Sequence, residues 1–203
     1  MTEIGDRSAA ISIKAQLRNA ALARRDALSA EERIEKSLAA AETGSKLLQI
    51  PVRTIVSAFL PIRSEIDARP LMAHLASAGA RLCLPVVLDR QTIVFRELVR
   101  GAPLVPTGFG TSGPDTSAPA LDPQWMIMPL AAFDRNGNRI GYGAGHYDRA
   151  IARLREKGIE PQRIGLAFAT QEVEPFQATE NDVALDAVIT EIGLKRFADV
   201  DSE

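Results

Sequence analysis

The chain has 203 residues, of which 46% are hydrophobic and 25% charged, with a formal net charge of −2. That apolar fraction excludes a disordered chain, and the lack of any run of about 18 apolar residues excludes a membrane-spanning helix. A single cysteine, Cys83, excludes an internal disulfide and a cysteine-built zinc site, and the near-neutral charge gives no long-range attraction for nucleic acid.

The amino terminus carries Glu3, Asp6 and Arg7 in place of the apolar stretch of a secretory leader, so a cytoplasmic address is expected. A basic, alanine-rich helix follows, with Ile13, Leu17 and Ala21 on one stripe and Lys14 and Arg18, at i and i+4, on a neighbouring face. Ser29-Ala30-Glu31-Glu32 reads as a capping box opening a second helix that stops near Gly44. Thr54 to Leu60 is a strand. Asp67 caps a helix that runs through Leu71, Met72 and Leu75 to Gly79. Arg81 to Val87 and Thr92 to Leu98 are two further strands around an Asp89-Arg90 turn.

Residues 101–123 hold five prolines and four glycines and read as one long irregular loop, with Phe109 as its aromatic residue. Trp125 to Ala132 is a buried strand, Phe133 to Gly145 a glycine-rich loop, and Tyr147, Ala150, Ile151 and Leu154 one face of a helix ending before Gly158. Arg163 to Phe168 and Ala187 to Thr190 are the last strands. Strands alternating with helices predict an α/β fold: a single three-layer domain over residues 1–203, with a mostly parallel central sheet, helices on both faces and a core of about 12–194.

The chemistry concentrates after residue 134. Four of the 14 glycines fall within 137–145, and both tyrosines of the chain, Tyr142 and Tyr147, lie beside them with His146. Glycines between a strand and a helix let backbone N–H groups converge at a helix start, which suits phosphate. Residues 134–157 hold six Arg/Lys against three Asp/Glu, a local +3 in an acidic chain. The spacing is neither that of a dinucleotide-binding fingerprint nor of a Walker A loop. On spacing alone, a structural strand-to-helix turn remains an alternative, as a solvated basic face does for Lys14 and Arg18. Helix-dipole pairing is the alternative for Asp148, and a surface acid that for Glu65.

Arg139-Ile-Gly-Tyr-Gly-Ala-Gly-His-Tyr-Asp-Arg149, preceded by Pro129-Leu-Ala-Ala-Phe-Asp134, resembles the signature of the 5-formyltetrahydrofolate cyclo-ligase family. Lys14-Ala-Gln-Leu-Arg18, Ser64-Glu65-Ile66-Asp67 and Leu185-Asp186-Ala-Val-Ile-Thr190 resemble three further family elements, in family order. His146 stands where the family more often has tyrosine, and the middle loop lacks the family's Gly-Ile-x-Glu-Pro glutamate. The resemblance implies a Rossmann-like fold related to the CoA-transferases and conversion of 5-formyltetrahydrofolate to 5,10-methenyltetrahydrofolate, with ATP cleaved to ADP and phosphate in the presence of Mg²⁺. It implies that Lys14, Arg18 and Arg139 to Tyr147 (Ile140, Gly141, Tyr142, Gly143, Ala144, Gly145 and His146 between them) bind ATP. Leu60, Glu65, Phe109, Tyr142, Gly143, Ala144, Gly145 and His146 would contact the folate, Asp148 and Asp186 the metal, and Arg139 and Asp148 would serve catalysis. A nucleotide-dependent phosphotransferase on another small molecule, or a non-catalytic folate or nucleotide binder, are the competing readings; a monomer without nucleic-acid or membrane partners is expected.

Overall fold

Alternation along the strands decides the architecture. Leu82 and Leu84 turn to one side of the sheet with Ile127, Ile164, Leu166 and Ile189, whereas Cys83 turns to the other with Met126, Met128 and Val188. With both faces apolar, helices have to cover both. The computed structural model describes the backbone of residues 2–108 and 110–197, and side chains from residue 12 onward.

The chain enters through α1 (Thr2–Asp26) and α2 (Ala30–Leu47). The capping box is present: the Ser29 hydroxyl accepts the Glu32 N–H at 3.1 Å, and the Glu32 carboxylate accepts the Ser29 N–H at 2.8 Å. β1 (Ile55–Ser57) leads to α3 (Arg69–Ser77), whose backbone at Arg69 donates to the Asp67 carboxylate at 2.9 Å. Then come β2 (Arg81–Val87), β3 (Ile93–Glu97), β4 (Leu104–Gly108), β5 (Thr111–Pro114), β6 (Ala120–Leu121) and β7 (Trp125–Met128). A short hairpin of β8 (Ala132–Phe133) and β9 (Arg139–Ile140) precedes α4 (His146–Glu156), β10 (Gln162–Leu166), β11 (Ala187–Thr190) and β12 (Gly193–Arg196). Helices α2 and α3 cover the first face through Ala40, Ala41, Leu71 and Leu75, and α4 the second through Ala150, Ile151 and Leu154.

One sheet of eight strands runs in the order β12-β11-β10-β7-β1-β2-β3-β6. Strands β11, β10, β7, β1 and β2 are parallel, and the antiparallel ones lie toward the edges. The expected α/β architecture is therefore present. From β1 the chain winds to β2 on one side, then returns to β7 on the other and continues to β10 and β11. The loops leaving the carboxyl ends of β1 and β7 diverge at this reversal, which is where open α/β sheets leave a ligand crevice. Those loops are residues 58–68 and 129–145.

Three sequence expectations change. Residues 101–123 are not one irregular loop: β4 and β5 pair as a hairpin and β6 pairs with β3. Prolines 106 and 114 and the positive-φ Gly108 (φ +90) concealed strands that sit at an edge, where a missing N–H is tolerated. Part of the glycine-rich loop is a hairpin, because the buried Asp134 accepts the Asn136 and Asn138 N–H groups at 2.9 and 3.0 Å and folds 134–138 into a turn. The third change is β12, four residues long, which the sequence pattern did not indicate.

Candidate active site at the sheet's switch point

The amino-terminal helix lies against the glycine loop because its contact face is small. Ala21 is fully buried with Ala132, Ile140 and Phe176, and this brings the basic side chains of α1 to the site. The Arg18 Nε donates to the Gly141 carbonyl at 2.8 Å. Lys14 pairs with Asp182 and sits 5.8 Å from the centre of the Phe176 ring. Burial pushes the Asp182 carboxyl up, but the hydrogen bonds from Lys14 and Thr179 outweigh it and hold the group below its ordinary value.

Arg139 enters from β9 and is 8% exposed. It donates to Asp148 at 2.5 Å, across to the first turn of α4, while its Nε has no hydrogen-bond partner among the described residues. A buried guanidinium N–H left open beside a glycine loop is a donor that an anion can take. At the start of α4 no side chain caps the helix; Gly145, at φ +63, turns the chain in, leaving the first-turn N–H groups to be satisfied from outside. Two arginines of α4 are used otherwise. Arg149 donates to the Gln91 and Ala144 carbonyls at 2.7 and 2.5 Å, and Arg153 to the Ile93 carbonyl at 2.9 Å. His146 Nε2 lies 3.0 Å from the Arg90 carbonyl. Two of the six basic side chains of residues 134–157 thus fasten α4 to β3 and the turn before it.

On the other side of the crevice stands Glu65, 8% exposed, in the loop after β1. Its carboxylate accepts the Ile62 N–H at 2.9 Å and interacts with the Tyr142 hydroxyl from the glycine loop. Burial raises the Glu65 carboxyl above its ordinary value. Burial, with Glu65 beside it, pushes the Tyr142 phenol up to about 12, and burial likewise raises Tyr147. Leu60 is half-buried and packs on the core at the carboxyl end of β1. A groove of about 250 Å³ beside Glu65 is lined by Arg33, Ile34, Ser37, Leu38, Asp67 and Pro70. A second cavity of about 470 Å³, near Leu17, Arg24, Arg135 and Glu172, contains none of the expected site residues. Phe109 lies outside the described residues.

The two expected metal carboxylates differ in their surroundings. Asp148 Oδ1 accepts from Arg139 and, at 3.2 Å, from the Val183 N–H, while its Oδ2 takes no hydrogen bond among the described residues. Asp186 is taken up by Arg163, whose N–H and Nη2 both lie at 2.5 Å and whose Nε lies at 3.1 Å. Among the described residues, no group of three or more His, Cys, Asp or Glu side chains gathers as a metal cage. Mg²⁺ held by one or two carboxylates, with phosphate oxygens and water completing its shell, needs no such cage. Asp148 fits that chemistry, and Asp186 fits it poorly.

The sequence profile of the 5-formyltetrahydrofolate cyclo-ligase family matches residues 10–191. The chain belongs to this family. It is 31% identical over 173 residues to the 5-formyltetrahydrofolate cyclo-ligase of Escherichia coli (strain K12), covering 82% of this chain and 94% of that one. It is 32% identical over 195 residues to the enzyme of the same name from Mycolicibacterium smegmatis, covering 87% and 93%. The NMR structure of 5,10-methenyltetrahydrofolate synthetase from Aquifex aeolicus superimposes with a TM-score of 0.78 at 27% identity, covering 94% of this chain and 96% of that one. Membership in the cyclo-ligase family agrees with a crevice that offers cations on one side and a buried carboxylate on the other.

Two residues at the site escaped the sequence reading. Arg25, 2% exposed, reaches Ser64 and Tyr142, and its only sequence signal was its place seven residues after Arg18 on the same helical face. Asp182 holds Lys14 and adjoins Val183, whose N–H meets Asp148. The residue pattern around it, Glu180-Asn181-Asp182, gave no spacing to read.

Proposed function

We infer that this protein closes 5-formyltetrahydrofolate to 5,10-methenyltetrahydrofolate at the expense of ATP. The observation that carries the reading is the meeting, at one switch point, of a glycine loop flanked by Arg18 and Arg139 with the buried carboxylate of Glu65. The formyl carbon is an amide carbon, and its oxygen is a poor leaving group. Transfer of the γ-phosphoryl group of ATP to that oxygen releases ADP. The N10 lone pair then attacks the carbon, N10 loses its proton, and the oxygen departs with phosphate.

In this reading Lys14, Arg18, Arg139 and the first-turn amides of α4 hold the phosphates, with Ile140 to Tyr147 forming the surrounding backbone. Lys14 and Arg139 now pair with Asp182 and Asp148, so each carries an acid that phosphate would displace. The freed carboxylates of Asp148 and Asp182 would hold Mg²⁺, which supplies charge neutralisation at the phosphates; Asp186, facing Arg163, would support the strand β11 instead. Glu65 accepts from the pterin's adjacent N–H donors, while Tyr142 and Leu60 flank the ring and Gly143 to His146 close over it. Phe109 is proposed as a further folate contact. The working unit is proposed to be a monomer and one domain, acting in the cytoplasm.

Mixing the purified protein with Mg-ATP and 5-formyltetrahydrofolate and following the absorbance of the methenyl product tests the reading. ATP-dependent appearance of that chromophore is the expected result. Binding of both ligands without product would leave a non-catalytic binder, and ATP cleavage without 5-formyltetrahydrofolate consumption would point to another phosphoryl acceptor.

A further inference from the structure

Arg25 is the most deeply buried arginine among the described residues, at 2% exposure, and neither the phosphate clamp nor the metal reading uses it. Burying a guanidinium is costly unless each donor finds an acceptor. Here the partners come from three separate stretches of chain. Nε donates to the Ser64 hydroxyl at 3.0 Å, Nη1 to the Tyr142 hydroxyl at 2.6 Å, and Nη2 lies 3.7 Å from the Asp26 carboxylate. Ser64 in turn donates to Asp26, and the guanidinium carbon lies 5.9 Å from the centre of the Tyr142 ring.

The loop that carries Ser64 is itself under tension. Arg63 has φ +54, a left-handed conformation that an L-residue with a long side chain adopts at a cost of about 1–2 kcal/mol. It closes a turn in which the Glu65 N–H donates to the Ile62 carbonyl at 3.1 Å and the Ile62 N–H returns to the Glu65 carboxylate at 2.9 Å. Strained backbone persists where the surroundings over-determine it. The Arg25–Ser64–Asp26 bonds are such a surrounding, one residue from Glu65.

We propose that Arg25 is a positioning residue for the folate end of the site: by gripping Ser64 and Tyr142 together it sets where Glu65 and the glycine loop stand relative to each other. The proposal rests on the reading of Glu65 as the pterin acceptor. Arg25 acts through these neighbours and touches neither substrate. It also acts through charge. Glu65 is faced by Arg25 from α1, by Tyr142 from the glycine loop, by Tyr147 from α4 and by Arg63 from its own loop, and Arg33 of α2 and Asp67 line the groove beside it. Burial raises the Glu65 carboxyl, and Arg25 and Arg63 oppose that rise. Removing Arg25 therefore moves protonation of Glu65 to higher pH.

The test is steady-state kinetics of the full chain in the cyclo-ligase assay, comparing wild type, Arg25→Gln and Arg25→Lys. For Arg25→Gln the KM for 5-formyltetrahydrofolate should rise roughly tenfold or more, while the KM for ATP changes less than about twofold. The acid limb of kcat/KM for the folate should move up by roughly one pH unit, and Arg25→Lys should restore much of that limb because it returns the charge. Ser64→Ala, which removes one anchor without burying a new charge, should give a smaller, folate-only effect, and it carries the test if Arg25→Gln does not fold. An unchanged folate KM, an equal loss for both substrates, or an unmoved acid limb beside a lowered melting temperature overturns the positioning role. A wild-type protein that turns over shows such a failure to be that of Arg25 alone; a wild type that neither binds nor converts 5-formyltetrahydrofolate overturns the underlying reading and this proposal with it.

Discussion

Glu65, the proposed pterin acceptor, shows how such a residue would be maintained against stability. A carboxylate buried to 8% exposure loses hydration, and its proton is held more tightly in the folded protein than in the unfolded chain. The stability linked to it is fully present below the ordinary carboxylate value and is lost as pH rises through the raised folded value. Glutamine at this position has no proton to lose. Melting curves of wild type and Glu65→Gln, stepped from about pH 4.5 to 8, should therefore show the variant gaining on the wild type as pH rises. The same variant should bind 5-formyltetrahydrofolate far more weakly while holding ATP nearly as before, since only the pterin presents donors that want an ionised acceptor. A variant that instead loses ground to the wild type as pH rises would mean that Arg25 and Tyr142 outweigh burial. Equal weakening of both ligands would remove Glu65 from the pterin side.

At the scale of elements, the glycine loop and α4 form one device, and Gly143 is its test point. Its φ of +98 strains any residue with a Cβ, yet a Cβ built there meets nothing nearer than Arg18 Nη2 at 3.9 Å. Gly143→Ala should thus cost about 1 kcal/mol from backbone strain, without a clash. ATP affinity in the surviving fold should fall more steeply than that cost explains, because the methyl group occupies the space between Arg18 and the loop where a phosphate would lie. Calorimetric titration of ATP beside a melting curve separates the two effects; unchanged affinity with a lowered melting temperature would make Gly143 a turn residue only. This loop was legible in the sequence because its chemistry is local: glycines, tyrosines and Asp148 within a dozen residues. The parallel strands were legible as continuous apolar runs bounded by breakers. What escaped was either short or non-local. Strands β4, β5, β6 and β12 have two to five residues each, and prolines and glycines break the alternation in the β4–β5 hairpin. Arg25 meets Tyr142 across 117 positions, and Lys14 meets Asp182 across 168. No spacing rule relates residues that far apart, so only the fold could pair them.

Across the whole molecule, the proposed site is assembled from four parts of the chain that share no local contact in sequence: α1, the loop after β1, the segment from β9 to α4, and residues 179–183 between β10 and β11. Ligands that bridge these parts favour the folded state over the unfolded one by mass action. At a ligand concentration of 100 times Kd this amounts to about 2.7 kcal/mol, and for a domain of this size to a rise of roughly 5–10 °C in melting temperature. The charges predict how that rise divides. ATP without metal must meet Asp148 and Asp182 as like charges; with Mg²⁺ present those acids become ligands, and the rise should be larger. Asp148→Asn keeps the shape of the side chain and a hydrogen-bond acceptor for Arg139 but removes the charge that Mg²⁺ seeks. The variant should retain the full melting-temperature rise on adding 5-formyltetrahydrofolate, lose most of the difference between ATP and Mg-ATP, and turn over at least about a thousandfold more slowly. Thermal shifts measured with each ligand, with and without Mg²⁺, read the folate and metal effects on one folded sample, and the absorbance assay reads turnover. If Asp148→Asn kept the Mg²⁺-dependent increment, the metal would be held elsewhere and the Arg139–Asp148 pair would be structural. Loss of the folate shift together with the metal effect would mean instead that Asp148 supports the crevice as a whole, through the 2.5 Å bond that ties β9 to α4.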